Sequence, residues 1–221
     1  PDVVSVTMRG RDLDRLPVQA GQFFNWRFRT GPGWMRSHPY SISAAPDGRS
    51  LRITVKDLGD GSRALAAVEP GTRVLIEGPY GRLHPGVRTQ PKVTLVASGI
   101  GISPVRALLE ALPQEPGAVT LIHRARDEAD LVLRAEIERI AQQRGARVFH
   151  VLGRRLQGRD SWLPETASGL SDAEALRQLV PDIAANDVYL CGATPWMDAV
   201  TAAARECGVP ASRIHSERFS W

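Results

Sequence analysis

The sequence predicts a two-domain α+β chain: an antiparallel β-barrel, residues 1–88, followed by an α/β domain with a doubly wound parallel sheet, residues 89–221. Three observations predict it. Up to about residue 88 the apolar residues fall in short segments separated by Gly, Pro and Asp turns. From about Gln90 onward, apolar strand-like runs alternate with segments of helical period, the pattern of a parallel sheet covered by helices. At 221 residues the chain is long enough for one large core or two modest ones.

In the first half, strands are expected at Val3–Met8, Gln22–Phe28, Tyr40–Ala44, Leu51–Lys56 and Arg73–Glu77. Gly31-Pro32-Gly33 and Pro46-Asp47-Gly48 supply turn chemistry between them. Short strands at this spacing suit a small barrel or a sandwich. One short helix, Arg63–Val68 capped by Ser62, interrupts them, and the domain boundary is expected within Gly86–Pro91.

In the second half, strands at 93–97, 119–123, 147–151 and 187–191 are followed by helices near 104–112, 130–143, 172–179 and 195–207, with a last strand at Ile214–Glu217. The stretch Val93–Leu112 is the most informative. Val93 to Ala97 reads as a strand buried on both faces, Gly99-Ile100-Gly101 as a turn, and Val105, Leu108, Leu109 and Leu112 as one face of a helix. Ser103 suits the N-cap and Pro104 the first helical position, where a missing N–H costs nothing. A glycine turn running into a helix start lets an anion approach the backbone at the positive dipole end. Taken alone, such a turn is equally an ordinary strand-to-helix connection.

Composition narrows the function classes. With 28 basic and 24 acidic residues the net charge is +4, which suits an anionic ligand but is too small and too scattered to argue for nucleic acid. The two cysteines, Cys191 and Cys207, exclude an internal four-cysteine iron–sulfur site and a disulfide framework, and point to a reducing compartment. No apolar run approaches the roughly 18 residues of a membrane-spanning helix. His123, His150 and His215 read as strand-end or surface histidines, since no His and carboxylate cluster at metal spacing appears and no metal is expected. A chain that opens at Pro1 on a strand-like segment is expected to be a piece of something longer.

Two segments of the first half carry chemistry. His38-Pro39-Tyr40-Ser41 places an exposed ring beside a hydroxyl and an imidazole, a set able to stack on and hydrogen-bond to a flat heteroaromatic ligand; the plainer reading is a strand with one core aromatic. Val55-Lys56-Asp57-Leu58-Gly59-Asp60-Gly61-Ser62 offers a second glycine turn entering a Ser-capped helix, with Lys56 as counter-charge, or a simple turn.

HPYSIS, ITVKDLGDGS, GPYG, GIGISP, LCGATPWM and a terminal HSERFSW, in that order and over nearly the whole chain, resemble the ferredoxin–NADP reductase superfamily, most of all the dehydrogenase domains of its bacterial ferric reductase and NADPH oxidase branch. The resemblance implies an FAD-binding barrel and an NAD(P)-binding α/β domain. It implies that Tyr40 packs on the isoalloxazine, that Ser41 lies near the reactive flavin nitrogen, and that His38, with Pro39 after it, stands where most members carry arginine. Gly61 and Ser62 would donate N–H groups to the FAD diphosphate, with Val55 and Lys56 alongside and Lys56 or Arg63 supplying charge. Gly99, Ile100, Gly101 and Pro104 would hold the diphosphate of the nicotinamide cofactor. Cys191, Gly192 and Met197 would border the nicotinamide, and Glu217 and Phe219 would lie over the flavin where hydride passes. Ser41, Cys191, Glu217 and Phe219 are the expected catalytic contacts. Each has a plainer role: Cys191 as a small buried residue, Met197 as core filler, Phe219 and Trp221 as pins for the chain end.

Arginines after the second and third strands of such a domain accommodate the 2′-phosphate of NADPH, whereas an acidic residue there binds the ribose of NADH. His123-Arg124-Ala125-Arg126, followed by Arg154, Arg155 and Arg159, therefore favours NADPH, with NADH possible and solvated arginines as the plainer reading. The expected function is an FAD-dependent NAD(P)H reductase on the cytoplasmic side, passing electrons to an external one-electron acceptor, the haem of a membrane ferric reductase or NADPH oxidase-like domain or another partner. The alternatives are a free-standing flavin or ferric-chelate reductase, a nucleotide-binding regulatory module without turnover, and a binding protein with no flavin.

Overall fold

A change of sheet partner in the middle of the HPYSIS segment closes the first half of the molecule. The computed structural model describes residues 3–30, 34–56, 65–112 and 115–218. Strand β1 (Val3–Arg9) pairs antiparallel with β4 (Ser50–Lys56), and β2 (Phe23–Phe28) lies between β3 (His38–Ser41) and β5 (Val74–Tyr80). The strand expected at Tyr40–Ala44 starts two residues earlier and leaves β2 after Ser41. The reason is that the Ile42 N–H still donates to Gln22 O of the first sheet at 3.0 Å, while the Ser43 N–H donates to Arg52 O on β4 at 2.7 Å. An Ile42–Ile53 bridge thus joins the two sheets into one antiparallel barrel. Alternation along β2 sends Phe24, Trp26 and Phe28 inward against Tyr40, Ile42, Leu51, Ile53 and Val55. Of the short helix expected at Arg63–Val68, the first two residues lie outside the described residues; the rest is a single turn in which the Val68 N–H donates to Leu65 O at 3.3 Å.

The second half is a five-stranded parallel sheet in the order β10-β9-β6-β7-β8, built from β6 (Val93–Ser98), β7 (Val119–Ala125), β8 (Arg147–Leu152), β9 (Asp187–Cys191) and β10 (Ile214–Ser216). Helices α1 (Ile102–Ala111) and α2 (Arg134–Arg144) cover one face, and α3 (Asp172–Leu179) and α4 (Thr194–Glu206) the other. Leu95, Leu121 and Tyr189 pack into the first layer, while Val96, Ile122 and Leu190 pack into the second. This is why the strands read as unbroken apolar runs.

Two helix starts differ from expectation. Helix α1 begins at Ile102, entered through a tight turn at Gly99–Gly101, so Ser103 lies inside its first turn and is not the N-cap. The Ser103 hydroxyl donates instead to Thr54 O of the barrel at 3.0 Å. Helix α2 begins at Arg134, not near residue 130, because Asp127 caps a separate short turn at Glu128–Asp130 and Leu133 sits at φ 60. In contrast, α3 begins where expected, closed by a reciprocal Ser171–Glu174 capping box.

The two halves are joined by a polar cluster. Arg106 on α1, 4% exposed, donates to Ser43 O at 3.0 Å, to Glu110 Oε2 at 2.6 Å and to Glu136 Oε2 at 3.0 Å. Arg52 of β4 reaches the same Glu136 at 2.9 Å and the same Ser43 O at 2.9 Å. Glu110 also accepts the Ala45 N–H at 2.7 Å. The connecting segment is anchored separately: fully buried Asp187 accepts the Thr89 N–H at 2.7 Å and the Gln90 N–H at 2.5 Å, and lies 2.8 Å from His215 Nε2.

His123 is neither at the surface nor at the strand end. It is fully buried on β7, its ring 5.7 Å from that of His150 and neither ring nitrogen hydrogen-bonded. Burial, and the neighbouring His150, push it down from 6.5 to about 4. A depressed histidine favours the folded state fully above 6.5 and loses that contribution as pH falls towards 4, because the unfolded chain takes up the proton first. We therefore expect the unfolding free energy to fall between pH 6.5 and 4 more for the native chain than for His123→Leu, by on the order of 3 kcal/mol, and the thermal midpoint to fall more steeply with it. Differential scanning calorimetry across that window measures it; parallel curves would show that His123 does not titrate as its burial dictates.

Candidate active site

In an open parallel sheet, ligands occupy the crevice outside the carboxyl ends of the strands where the connections diverge. Here that point lies between β6 and β9, whose ends are in register at Ala97 and Cys191. The Gly99-Ile100-Gly101 turn leaves β6 and Gly192 leaves β9, so the sequence-distant glycine segments meet there. A Cβ on Gly101 would stand 2.3 Å from Cys191 O, which forbids any side chain, whereas one on Gly99 would meet nothing within 4 Å. The turn is thus packed hard against β9 on one side and open on the other, with the start of α1 behind it. Pro104 is buried in that helix and Ile100 half-buried.

On the barrel side, Ser41 ends β3 in register with Phe23, and Phe23 with Tyr80 of β5. The Phe23 and Tyr80 rings lie 5.7 Å apart at 44°. The Ser41 hydroxyl is buried and has no hydrogen-bond partner among the described residues. A buried hydroxyl left unpaired costs about 1–3 kcal/mol, so it is a group waiting for a polar atom of a ligand. That atom is what a flavin ring nitrogen would supply, and the open backbone at Gly99 is what a diphosphate needs; the residues present fit both groups.

The two sides meet at Glu217, just after β10. Its Oε2 accepts the Arg82 N–H at 3.1 Å. Gly81, at φ +91, makes room for it: a Cβ there would stand 2.7 Å from Glu217 Oε2 and 3.0 Å from the Phe23 ring. Cys191 lies close enough to feel the same carboxylate; burial first, then Glu217, pushes its thiol up to about 12. The thiol therefore stays protonated at neutral pH, which suits a contact and not a nucleophile. Ser41, Phe23, Gly81 and Glu217 form a row of neighbours on the barrel side, and the Glu217 charge is felt at Cys191 on the sheet side.

Several expected site residues stand elsewhere. Tyr40 does not present an exposed ring: it is 8% exposed, lies in the barrel core cluster, and stacks on His38 with centroids 5.9 Å apart. Burial first, then Arg36, lowers the His38 pKa below its ordinary 6.5, so His38 brings no positive charge to replace an arginine at neutral pH. Met197 is 1% exposed and packs with the apolar cluster under α4, which commits its side chain to the core. Arg124 is buried, its two terminal nitrogens donating to Ala125 O, to Val151 O at 3.3 Å and to Arg154 O at 3.2 Å, which ties the guanidinium to the ends of β7 and β8. Arg126 and Arg154 are exposed at those ends. Pro39 is half-buried, Val55 is buried with its side chain in the barrel core, and Lys56 ends β4. Gly61, Ser62, Arg63, Phe219 and Trp221 lie outside the described residues. Sequence reasoning missed Phe23, Tyr80 and Gly81 as site residues; the GPYG motif and the outward register of Phe23 were the available signals.

Gly101→Val is expected to force the β6 turn away from β9, raising the NADPH dissociation constant about tenfold or more while leaving FAD affinity within about threefold. Equilibrium titration of each cofactor measures this, and an unchanged NADPH constant would place the nucleotide elsewhere.

Residues 1–84 match the family described as FAD-binding domain, and residues 95–202 match the oxidoreductase NAD-binding domain. The ferredoxin reductase component of 3-ketosteroid-9-alpha-monooxygenase from Mycolicibacterium smegmatis is 31% identical over 212 residues, covering 93% of this chain and 57% of that protein. The chain thus spans little more than half the length of the first such relatives. Ferredoxin–NADP reductase B of Sorangium cellulosum is 30% identical, with 99% of this chain and 92% of that protein covered. Among solved structures, the FAD/NAD-binding domain of nitric oxide dioxygenase from Vibrio cholerae superposes with a TM-score of 0.77 at 23% identity over 99% of this chain and 93% of that one. The Neisseria gonorrhoeae ferredoxin NADP+ reductase with bound FAD and NADP gives 0.75 at 18% identity over 98% and 92%. With both cofactor domains matched in order and a relative 30% identical aligned over 92% of its length, the chain belongs to the ferredoxin–NADP reductase superfamily and pairs an FAD-binding domain with a nicotinamide-nucleotide-binding domain.

Proposed function

We propose that this chain is a flavoprotein reductase that moves a hydride from NADPH to FAD and hands the electrons singly to an acceptor outside these residues. The observation that carries the reading is the buried Ser41 hydroxyl, without a partner among the described residues, at one end of a row of neighbours that runs to Glu217, whose charge is felt at Cys191 on the end of β9. Held by these residues, the nicotinamide would supply the hydride and the flavin would accept it, one C–H bond being exchanged with its electron pair for one N–H bond. The protein's part is positioning, since a hydride needs no general base. Ser41 would donate to or accept from the reacting edge of the flavin, Gly99 would admit the nucleotide diphosphate with Gly101 holding the turn against β9, and Cys191 and Gly192 would border the nicotinamide. Glu217 orients the nicotinamide amide or carries a proton. Arg126 and Arg154, exposed at the ends of β7 and β8, read the 2′-phosphate.

With two cysteines, these residues cannot ligate a four-cysteine cluster, so the acceptor lies elsewhere. The His-Pro-Tyr-Ser form of the flavin motif supports haem of a membrane ferric reductase or NADPH oxidase-like partner, with this domain on the cytoplasmic side. Among the described residues no helix is long and apolar enough to cross a membrane. A second reading, an oxygenase or globin partner, is favoured by relatives named as monooxygenase reductase components and as the flavohemoprotein of Rhizobium meliloti.

Anaerobic NADPH should bleach the flavin of the FAD-loaded chain, and demonstrated binding of both cofactors without bleaching would refute the reductase reading. Ser41→Ala should slow that reduction about tenfold, the worth of one lost hydrogen bond, with FAD affinity changed less than about threefold. Stopped-flow absorbance and a fluorescence titration separate the two; equal losses in rate and affinity would move Ser41 away from the reacting edge.

A further inference from the structure

We propose that Arg106, on the helix that starts at the nucleotide turn, is a positioning residue for hydride transfer, holding the strand end that carries Ser41 in fixed relation to that turn. The inference rests on the reductase reading and adds a residue that the flavin and nucleotide motifs leave out.

The geometry is specific. Arg106 lies one helical turn beyond Ile102, where α1 emerges from Gly99–Gly101. Its Nη1 donates to the backbone carbonyl of Ser43, two residues beyond Ser41, at 3.0 Å. Ser43 is fully buried and sits where the chain passes from β2 to β4. The same carbonyl takes Arg52 Nη2 at 2.9 Å, while the Ser43 hydroxyl takes Arg52 Nε at 3.1 Å and Thr54 Oγ1 at 2.8 Å. Three residues before Arg106, Ser103 donates to Thr54 O. One face of α1 therefore grips both strands flanking the Ser41 turn, and Glu110 extends the grip by accepting the Ala45 N–H. The two guanidiniums are balanced by two carboxylates, Glu110 and Glu136. A backbone carbonyl bound by a planar fork that is itself locked by two carboxylates has little freedom to slide. Any shift of α1 then moves Ser41 with it, so the nucleotide turn and the flavin-side hydroxyl stay in register.

A residue that merely glued the halves would, on removal, lower the unfolding temperature and both cofactor affinities together. A positioning residue splits them. In the FAD-loaded chain, Arg106→Gln should slow flavin reduction by NADPH about tenfold or more, since a displacement of the order of an ångström is costly to hydride transfer. FAD and NADP+ dissociation constants should stay within about threefold, the deuterium isotope effect on steady-state kcat should rise, and amide exchange should quicken at residues 42–45 but not in β9. Arg106→Lys, which keeps the charge and one donor but loses the fork, should fall between the native chain and Gln. Glu136→Gln removes the charge of one of the two locking carboxylates but leaves the Arg106–Ser43 bond in place, so it should slow reduction less than Arg106→Gln does. The proposal is overturned if the Arg106 variants reduce flavin at the native rate, if rate and affinities fall in proportion, or if Glu136→Gln is as slow as Arg106→Gln. A native chain whose bound flavin is not reduced by NADPH would overturn the reductase reading, and this proposal with it. Native reduction with unaffected variants would overturn this proposal alone.

Discussion

A buried guanidinium has to be paired, and in this molecule the pairing of Arg106 decides how two otherwise separate cores face each other. The barrel packs around Phe24, Trp26 and Ile53, and the parallel sheet packs its two faces around helices of its own. Apolar packing alone specifies each half but says little about their mutual angle, because hydrophobic contact is non-directional. The Arg106, Arg52, Glu110 and Glu136 cluster is directional, and removing one partner would strand an uncompensated charge. Asp187 does the same for the connecting segment, tying Thr89 and Gln90 to the start of β9 beside His215.

That constraint is what gives the crevice two unlike walls. The sheet order puts the turns after β6 and β9 side by side, and the barrel brings Ser41, Phe23 and Tyr80 up to them through Gly81 and Glu217. Nothing in this row is a strong nucleophile, and its one charged group, the Glu217 carboxylate, is bonded to the Arg82 N–H and not to Ser41; Cys191 is held as a thiol by burial. Such a set cannot carry out covalent chemistry on its own, but it can hold two flat rings in one geometry. A hydride transfer between bound cofactors asks for little else.

Apolar runs, helical periods and turn residues are local properties of the chain, and they located every strand of the sheet, the barrel-then-sheet order and the glycine turn at Gly99–Gly101. Boundaries slipped where a long-range bond intervened. The strand at Tyr40 ends early because Ser43 pairs with β4, and Ser103 is no N-cap because its hydroxyl reaches Thr54 across the domain join. Motif order carried the two cofactor types. It could not tell which members of each motif face the crevice, so Met197, Arg124 and the Tyr40 ring turned out to be committed to packing or to backbone carbonyls.

The sequence by itself determined the class of each half, the parallel sheet of the second and the glycines an anion could approach, because these follow from spacing along a single segment. Tertiary structure alone decided that His123 is buried, that Glu217 meets Gly81, and that Arg106 grips Ser43. Each of those depends on which distant residue satisfies a polar group removed from water, and no local pattern encodes that partner.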